Sequence, residues 1–209
     1  MRNSLEPGAI VYVVDDDPGI CSGLESLFRS EGLEVRTFNS PHTFLNSEIP
    51  DVVSCLILDV RLRGMSGLTI QQNALQAGIH MPVIFLTAYG DIAMTVQAMK
   101  AGAFDFLTKP CREQDILDAV AGALRRSEET RSQDYQALRI RSLYAMLTPR
   151  EREVIFLVAE GLRNKQIADR VGLSEVTVKI HRAQAMRKLS ARSVAELVKM
   201  LQHVPAVSS

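Results

Sequence analysis

The stretch AIVYVVDDDPG, residues 9–19, decides the fold class of this chain. Six apolar or aromatic residues, the pattern of a short buried strand, run directly into Asp15, Asp16 and Asp17. Adjacent carboxylates repel one another, so their place at the mouth of a buried strand needs a physical reason. Two explanations are open from this stretch alone: the aspartates hold a cation, or they form a solvated turn that caps the first helix.

The sequence around this stretch alternates between strand and helix patterns from residue 9 to about residue 126. The strand candidates are short and rich in β-branched residues: AIVYVV, LEVRTF, VVSCLIL, MPVIFLTA and AFDFLT. Stretches with helical spacing lie between them, such as GLTIQQNALQAG and DIAMTVQAMKAG, each ending in a glycine that suits a helix C-terminus. The alternation predicts an α/β fold, a five-stranded doubly wound parallel sheet with helices on both faces.

The charge of the chain is divided unevenly between its two parts, although the net charge of the 209 residues is zero. Residues 1–126 contain 10 basic and 15 acidic residues, whereas residues 127–209 contain 14 basic and 9 acidic residues. An acidic part followed by a basic part indicates two domains with different tasks, the second involving a polyanion.

The three cysteines, Cys21, Cys55 and Cys111, are odd in number and lack metal-ligand spacing, so we interpret them as reduced thiols of a cytosolic protein. The first nine residues contain no apolar core of a signal peptide, and no apolar run approaches the length of a membrane span. We therefore expect a soluble, cytoplasmic protein with no membrane partner.

The second part of the chain has an all-helical pattern. Residues 125–142 are rich in charge and contain neither proline nor glycine, which predicts a helical linker, assigned to residues 127–143, with a flexible coil as the alternative. The remaining domain, residues 144–209, begins its first helix at TPRE, a capping box with proline at the first helical position. That helix ends near Gly161. It is followed by the helix pattern NKQIADRV, the turn GLS, the helix pattern EVTVKIHRAQAMRKL, which Ser174 caps, and the last helix pattern SVAELVKMLQ.

The ends of the predicted strands contain residues with a common chemistry. In a parallel α/β sheet, ligands bind outside the carboxyl ends of the strands, so the aspartates of strand one should lie near Asp59, Thr87 and Lys109, which end strands three, four and five. Clustered carboxylates tolerate one another around Mg²⁺, and a carboxylate beside Mg²⁺ can attack a phosphoryl group to give an acyl phosphate. Taken singly, each of these features is also compatible with an ordinary surface turn.

Residues 9–126 resemble the receiver domains of two-component response regulators, on the motifs VVDDD, LILDVRLRGMSG, FLTAYGD and AMKAGAFDFLTKP. The resemblance implies a flavodoxin-like receiver domain, assigned to residues 1–126, in which Asp59 is the phosphoacceptor. It further implies two groups of residues: Mg²⁺ is held by Asp15, Asp16, Asp59 and the backbone carbonyl of Arg61, and the switch is formed by Thr87, Lys109 and Phe106. Asp17 is expected outside the direct metal shell.

Arg63 and Cys111 depart from the receiver pattern. Arg61 and Tyr89 concern the lifetime of a phosphoryl group on the phosphoacceptor. Arg63 stands where receivers usually have proline, which concerns the rigidity of the loop beside the metal, and Cys111 stands where an aromatic residue often follows Lys-Pro. Arg61 and Tyr89 occupy the positions that flank the approach of water to the phosphoacceptor in this family. Both are large and neither is a carboxylate or amide, so we expect slow self-dephosphorylation.

The stretch NKQIADRVGLSEVTVKIHRAQAMRKL has the layout of a helix-turn-helix. A helical wheel places Val178, Ala185 and Leu189 on the inward side and His181 nearer that side than the other. The opposite side mixes small apolar residues with cations, which suits the major groove of DNA. The predicted DNA-binding residues are Val176, Thr177, Lys179, Ile180, Arg182, Ala183, Arg187 and Lys188, with Lys165 from the shorter helix. On the pattern alone, a three-helix packing module with an amphipathic outer face remains the alternative.

Residues 147–201 resemble the LuxR-type output domain of FixJ/NarL-like regulators, on LTPREREV, GLRNKQIAD, SEVTVKIHRAQAMRKL and SVAELVKML. In that family the helix that begins after Ser174 contacts DNA, and the last helix, residues 194–201 here, forms a dimer contact. The resemblance implies promoter DNA, a sensor histidine kinase and a second copy of the phosphorylated chain as partners, with RNA polymerase as a further candidate.

Our leading hypothesis is a transcription regulator, not an enzyme, that is switched by phosphorylation at Asp59. A Mg²⁺-dependent phosphohydrolase is the main rival, but such enzymes require Asp-x-Asp-x-Thr/Val and no helix-turn-helix, and Gly19 follows Pro18 here. A third possibility is a receiver that works without phosphorylation; the intact set of Asp15, Asp16, Asp59, Thr87 and Lys109 argues against it.

Overall fold

The computed structural model describes residues 8–62, 65–88 and 92–204. The chain forms two compact units, Met1–Arg131 and Ser132–Ser209. The division falls inside helix α5 (Glu113–Ala145), and residues 127–143, the predicted linker, lie within this helix. Among the described residues, none of the helices combines the length and the apolar character that a membrane crossing requires.

The first unit contains the predicted five-stranded parallel sheet, which confirms the fold class. Its strands, in the order β2-β1-β3-β6-β7, are β1 (Ile10–Val14), β2 (Glu34–Phe38), β3 (Ser54–Leu58), β6 (Val83–Thr87) and β7 (Asp105–Thr108). Two short strands, β4 (Arg61–Leu62) and β5 (Met65–Ser66), form a separate antiparallel pair. The helices of this unit, besides the first part of α5, are α1 (Pro18–Ser30), α2 (Pro41–Leu45), α3 (Gly67–Gln76) and α4 (Ile92–Lys100).

The sheet is buried on both faces because successive side chains of a strand point to opposite sides. In β1, Val11 and Val13 pack in one apolar cluster with Phe28. Tyr12 packs in a second cluster with Phe44. This two-sided burial explains why the strand pattern of the sequence is a continuous apolar run rather than an alternation.

Two polar contacts tie α5 to the edge of the first unit where β3 begins. The backbone N–H of Ser54 donates to Ser127 Oγ at 3.1 Å, and both residues are buried. Arg131 pairs with the carboxylate of Asp51 and donates to the carbonyl oxygen of the same residue at 2.6 Å. These contacts fix the first half of α5 against the sheet as far as residue 131.

The second unit packs helices around one apolar cluster. Its helices, besides the end of α5, are α6 (Pro149–Ala159), α7 (Asn164–Val171), α8 (Glu175–Leu189) and α9 (Val194–Leu201). The predicted capping box is present: Thr148 Oγ1 accepts from the N–H of Glu151 at 3.2 Å, and Glu151 Oε2 accepts from the N–H of Thr148 at 2.8 Å. Ser174 caps α8 as predicted, since its Oγ accepts from the N–H of Thr177 at 3.1 Å.

Candidate functional site

The strand register of the first unit brings Asp15 and Asp59 together. Val14 pairs with Phe38 on one side and with Leu58 on the other, so the next residue of each strand leaves the sheet at the same edge. The backbone N–H of Asp59 donates to the carbonyl of Val14 at 3.0 Å, and the N–H of Asp15 donates to that of Phe38 at 3.1 Å. Backbone ladders therefore hold both carboxylates in place, as the sequence predicted.

The other two strand ends complete the pocket. Thr87 pairs with Thr108, and the N–H of Lys109 donates to the carbonyl of Thr87 at 2.8 Å. Thr87 is fully buried, and Lys109 directs its ammonium to the aspartates across the sheet edge. The peptide bond between Lys109 and Pro110 is cis.

Three carboxylates and the ammonium of Lys109 lie together in the pocket. One carboxylate oxygen from each of Asp15, Asp16 and Asp59 lies within 4.8 Å of the other two. The Lys109 Nζ donates to Asp15 Oδ2 at 2.5 Å and lies 3.4 Å from Asp59 Oδ2. Burial lowers the pKa of Lys109, but the hydrogen bonds and negative charges of Asp15 and Asp59 outweigh burial and raise it above 10.5. The carboxylates of Asp15, Asp16 and Asp59 form an all-oxygen donor set that fits Mg²⁺.

Asp17 has a different task from its two neighbours. Its side chain caps α1 by accepting from the N–H of Gly19 at 2.8 Å. Its own N–H donates to Asp15 Oδ1 at 2.9 Å. The helix-capping explanation is therefore confirmed for Asp17, whereas Asp15 and Asp16 line the acidic pocket, where cation binding stays a prediction.

Arg61 begins β4, two residues after Asp59. Its N–H donates to Asp59 Oδ1 at 3.2 Å, and its side chain is exposed. Gly67 lies close to this segment, because a Cβ there would lie 2.6 Å from the carbonyl oxygen of Asp59. Arg63 and Tyr89, which the sequence singled out, lie outside the described residues.

Phe106, the predicted aromatic member of the switch, is half-buried on β7. Its ring centroid lies 6.2 Å from that of Phe85, which is fully buried beneath the sheet edge. It packs on the same apolar layer as Ile70. The side chain thus has partners on its inner side while part of it remains accessible.

Helix α8 presents the two faces that the helical wheel predicted. Val178, Ala185 and Leu189 are at most 1% exposed, whereas Val176 is 66% and Ile180 is 51% exposed. Exposed hydrophobic side chains of this size on a helix next to cations are a common feature of a binding surface. The exposed predicted contacts on this helix are Val176, Lys179, Ile180, Ala183 and Arg187, and Lys165 is exposed on α7.

Two predicted DNA-binding cations are engaged within their own domain. Lys188 Nζ donates to Glu151 Oε2 at 2.6 Å and lies 3.4 Å from the carbonyl oxygen of Met146. Arg182 donates to Asn164 Oδ1 at 3.1 Å. Thr177 and His181 are half-buried, and the Nδ1 of His181 is buried without a hydrogen-bond partner among the described residues. Contacts of these residues with DNA stay predictions.

Sequence reasoning missed the role of Glu151 beyond its part in the capping box. Glu151 is only 2% exposed, and it accepts from the Thr148 backbone and from Lys188 at once. Burial raises the pKa of Glu151, but the hydrogen bonds from Lys188 and Thr148 outweigh it and lower the pKa below 4.5. The partners are 37 residues apart, so no local pattern could have joined them.

Comparisons with known proteins match both units. Residues 11–121 match the family model of the response regulator receiver domain, and residues 145–201 match that of the luxR family of bacterial regulatory proteins. This chain is a two-component response regulator. Its receiver and its LuxR-type DNA-binding domain make it a transcription regulator of the kind that the sequence motifs indicated.

Similar regulators align along most of the chain. Nodulation protein W of Bradyrhizobium diazoefficiens is 52% identical over 192 residues, which cover 92% of this response regulator and 85% of the relative. Response regulator protein TodT of Pseudomonas putida is 40% identical, over 98% of this chain and 90% of the relative. The solved structure of response regulator StyR has a TM-score of 0.81 at 45% identity, covering 93% of this chain and 98% of that one.

Proposed function

We propose that Asp59 of this response regulator accepts a phosphoryl group from a sensor histidine kinase and that phosphorylation promotes dimerisation and promoter binding. The observation that carries the proposal is the cluster of Asp15, Asp16 and Asp59 with Lys109 placed across it. Three carboxylates at one strand edge form an oxygen-donor set that suits Mg²⁺, and the lysine beside them can pair with a phosphoryl oxygen.

The transfer converts a carboxylate into an acyl phosphate. A carboxylate oxygen of Asp59 attacks the phosphorus of a phosphohistidine, a P–O bond forms, and the P–N bond breaks. The electron pair of the broken bond leaves with the imidazole nitrogen, which takes up a proton. Asp59 is accessible for this attack because its side chain is 13% exposed, whereas that of Asp15 is 4% exposed.

Asp15, Asp16, Asp59 and the backbone carbonyl of Arg61 would hold Mg²⁺. Bound there, Mg²⁺ supplies the positive charge that lets the phosphoryl oxygens approach three carboxylates. Lys109 already donates to Asp15, and it would pair with a phosphoryl oxygen on the other side. The hydroxyl of Thr87 would donate to a further oxygen, and Phe106 would turn inward with it.

The output is binding of duplex DNA by the exposed face of α8. Val176, Ile180 and Ala183 would contact thymine methyl groups, and Lys179 and Arg187 would contact base edges or phosphates.

The last helix, α9, is proposed as the dimer contact, because Val194 and Val198 are 36% and 38% exposed on it. RNA polymerase is a further proposed partner. The boundaries 1–126, 127–143 and 144–209 describe receiver, linker and output domain.

The test is incubation of the full chain with acetyl phosphate and Mg²⁺, followed by intact mass measurement. We expect the mass of one phosphoryl group on the wild type, none on Asp59→Asn, and none when a chelator removes Mg²⁺. Asp17→Asn is the matched control, because asparagine also caps helices and the residue lies outside the proposed metal site. An adduct of equal yield on Asp59→Asn would refute the assignment of the phosphoacceptor.

A further inference from the structure

Helix α5 has two different sides in the second unit, where its last residues, 132–145, lie. Leu143 and Tyr144 pack in the apolar cluster of that unit. Tyr135 and Leu138 lie on the other side of the helix and are 73% and 60% exposed. One side of α5 is therefore packed within its own chain, while the other presents large apolar groups to solvent.

The exposed side of α5 has the spacing of a coiled-coil seam. The seam consists of Tyr135, Leu138, Ser142 and Ala145, which are all exposed and follow one another at intervals of three, four and three residues. These intervals are those of the a and d positions of a heptad, which keep one stripe of a helix against a partner helix. The seam begins after Arg131, whose guanidinium is already paired within the first unit.

The charges beside the seam favour a second copy of this chain as the partner. Asp134 and Arg139 occupy the flanking g and e positions, and both are exposed and form no ion pair among the described residues. In a parallel pair of helices, a g residue lies beside the e residue five positions further along the partner, so Asp134 meets the partner's Arg139. By symmetry this pair forms twice.

An antiparallel pair of the same helices is less favourable. With Tyr135 facing the partner's Ala145, Arg139 would lie beside the partner's Arg139, and like charges repel one another. The flanking charges therefore select the parallel orientation.

The seam is too short to hold two chains together by itself. Stable interfaces bury about 800 Å² on each partner, and the seam offers only two large apolar side chains. Helix α9, the dimer contact proposed above, belongs to the same unit. The seam would add to that contact, since a second contact between chains already held together has a low entropic cost.

We propose that the seam of α5 is a parallel coiled-coil contact between two copies of this chain. Tyr135 and Leu138 face their own counterparts, and Asp134 pairs with the partner's Arg139. The proposal rests on the homodimer of the proposed function and gives it a surface besides α9.

Cysteine cross-linking of the full chain tests the seam. The parent is Cys111→Ser, because Cys111 is half-buried and the other two cysteines are buried. With oxidised glutathione, Leu138→Cys at a d position should form an intermolecular disulfide about tenfold faster than Gln133→Cys, an exposed position on the side away from the seam. Rates are measured before and after treatment with acetyl phosphate and Mg²⁺.

The outcomes distinguish the seam from the proposed function. Equal rates for Leu138→Cys and Gln133→Cys in both states overturn the proposal, as does a cross-link at 138 that forms only together with Ser142→Cys, the mark of an antiparallel pair. Val198→Cys reports on α9. Cross-linking at 198 but not at 138 overturns the seam and keeps the dimer, whereas cross-linking at neither position overturns both.

Charge reversal tests the orientation without cysteines. Asp134→Arg should weaken self-association of the full chain about fivefold in sedimentation equilibrium, because two attractive pairs become repulsive. Adding Arg139→Asp should restore it, and Gln133→Arg, on the side away from the seam, should change it less than about twofold. A double variant that associates as weakly as Asp134→Arg contradicts the pairing.

Discussion

Among the described residues, each unit contains a pair of a lysine and a buried carboxylate, and we expect the two pairs to behave differently. In the first unit, Lys109 lies 2.5 Å from Asp15, whose side chain is 4% exposed. In the second unit, Lys188 lies 2.6 Å from Glu151, whose side chain is 2% exposed. By distance and burial of the acid, the pairs are nearly the same.

The difference lies in what surrounds each pair. Lys109 is shared between Asp15 and Asp59, and these two carboxylates cluster with that of Asp16 in an all-oxygen set that suits a cation. Glu151 has one cation and the Thr148 N–H as donors, and Lys188 also reaches the carbonyl of Met146, so that pair is satisfied. A buried pair that lies among further clustered carboxylates indicates a reactive site, and a pair whose other partners are backbone groups indicates a structural tie.

The largest expected effect is on the rate of phosphorylation, when the charge of Lys109 in the first pair is removed. Lys109→Met should slow phosphorylation by acetyl phosphate on the order of 100-fold, because a phosphoryl oxygen loses its donor. The same change should leave Mg²⁺ affinity unchanged or higher, since it removes a competing positive charge. Time courses of intact mass measure the first quantity, and calorimetry measures the second.

Lys100→Met, at an exposed lysine of α4, is the control and should change neither quantity. A Lys109→Met protein that is phosphorylated at the wild-type rate would show that the pocket lysine is merely structural.

A change in the second pair, Glu151 and Lys188, should alter the stability of the second unit and not the phosphorylation of Asp59. Glu151→Gln should lower the free energy of unfolding of the second unit by about 1–3 kcal/mol, because Lys188 loses its counter-charge while keeping some contact with water. Glu153→Gln, which breaks an exposed pair on the same helix, should cost less than about 1 kcal/mol. Denaturant unfolding followed by circular dichroism measures both, and phosphorylation of Asp59 should be unaffected. Equal losses in the two variants would contradict the structural role of Glu151.

The pH dependence of the two pairs should have opposite signs. Glu151 has a lowered pKa in the folded state, so its contribution to stability is present above pH 4.5 and is lost as pH falls through the lowered value. Lys109 has a raised pKa, so its contribution is present below pH 10.5 and is lost as pH rises through the raised value. Comparison of Glu151→Gln with wild type along an acid titration isolates the first effect, and the variant should lack that part of the dependence.

A smaller effect, on DNA affinity, is expected from removing an exposed charge on α8. Lys179 is exposed and lies 3.7 Å from the exposed Glu175, and we expect it to bind DNA. Lys179→Ala should weaken specific binding by about 1–3 kcal/mol if it contacts a base, and should lower the salt slope by about one unit if it contacts phosphate. Lys188→Ala should leave the salt slope unchanged if its ammonium stays with Glu151. A reduced slope for Lys188→Ala together with an unchanged one for Lys179→Ala would reverse this assignment.

The smallest expected effect concerns the lifetime of the phosphorylated chain. Arg61→Ala combined with Tyr89→Ala should hydrolyse a few-fold faster than wild type, because two large side chains would no longer cover the approach of water. Arg112→Ala, an exposed arginine beyond the pocket, is the control. Purified phosphoprotein, freed of donor and followed by mass spectrometry, gives the decay rates. Equal decay of wild type and double variant would mean that these side chains do not shield the acyl phosphate.

The sheet and the pocket could be predicted from the sequence because both follow from short-range patterns. Apolar runs mark the strands, and the carboxyl ends of parallel strands share one edge, so Asp15, Asp59 and Lys109 had to meet there. The faces of α8 followed from a 3.6-residue period in the same way.

What the sequence did not reveal depends on packing between distant segments. The pair of Glu151 and Lys188 and the bond between Ser54 and Ser127 join residues that no local pattern relates. The sequence also did not reveal the close approach of Gly67 to the backbone. A glycine at a helix start has several ordinary explanations, and the need for glycine here is clear from the position of the Asp59 carbonyl oxygen.

We expect the phosphoryl group to form its bond at Asp59 and not at the neighbouring acids. Reduction of the phosphorylated chain with borohydride converts an acyl phosphate of aspartate into homoserine, which peptide mapping then locates. We predict homoserine at position 59 alone, dependent on Mg²⁺ and absent from unphosphorylated protein. Homoserine at position 15 or 16, or none in a chain that has gained a phosphoryl group, would contradict the account.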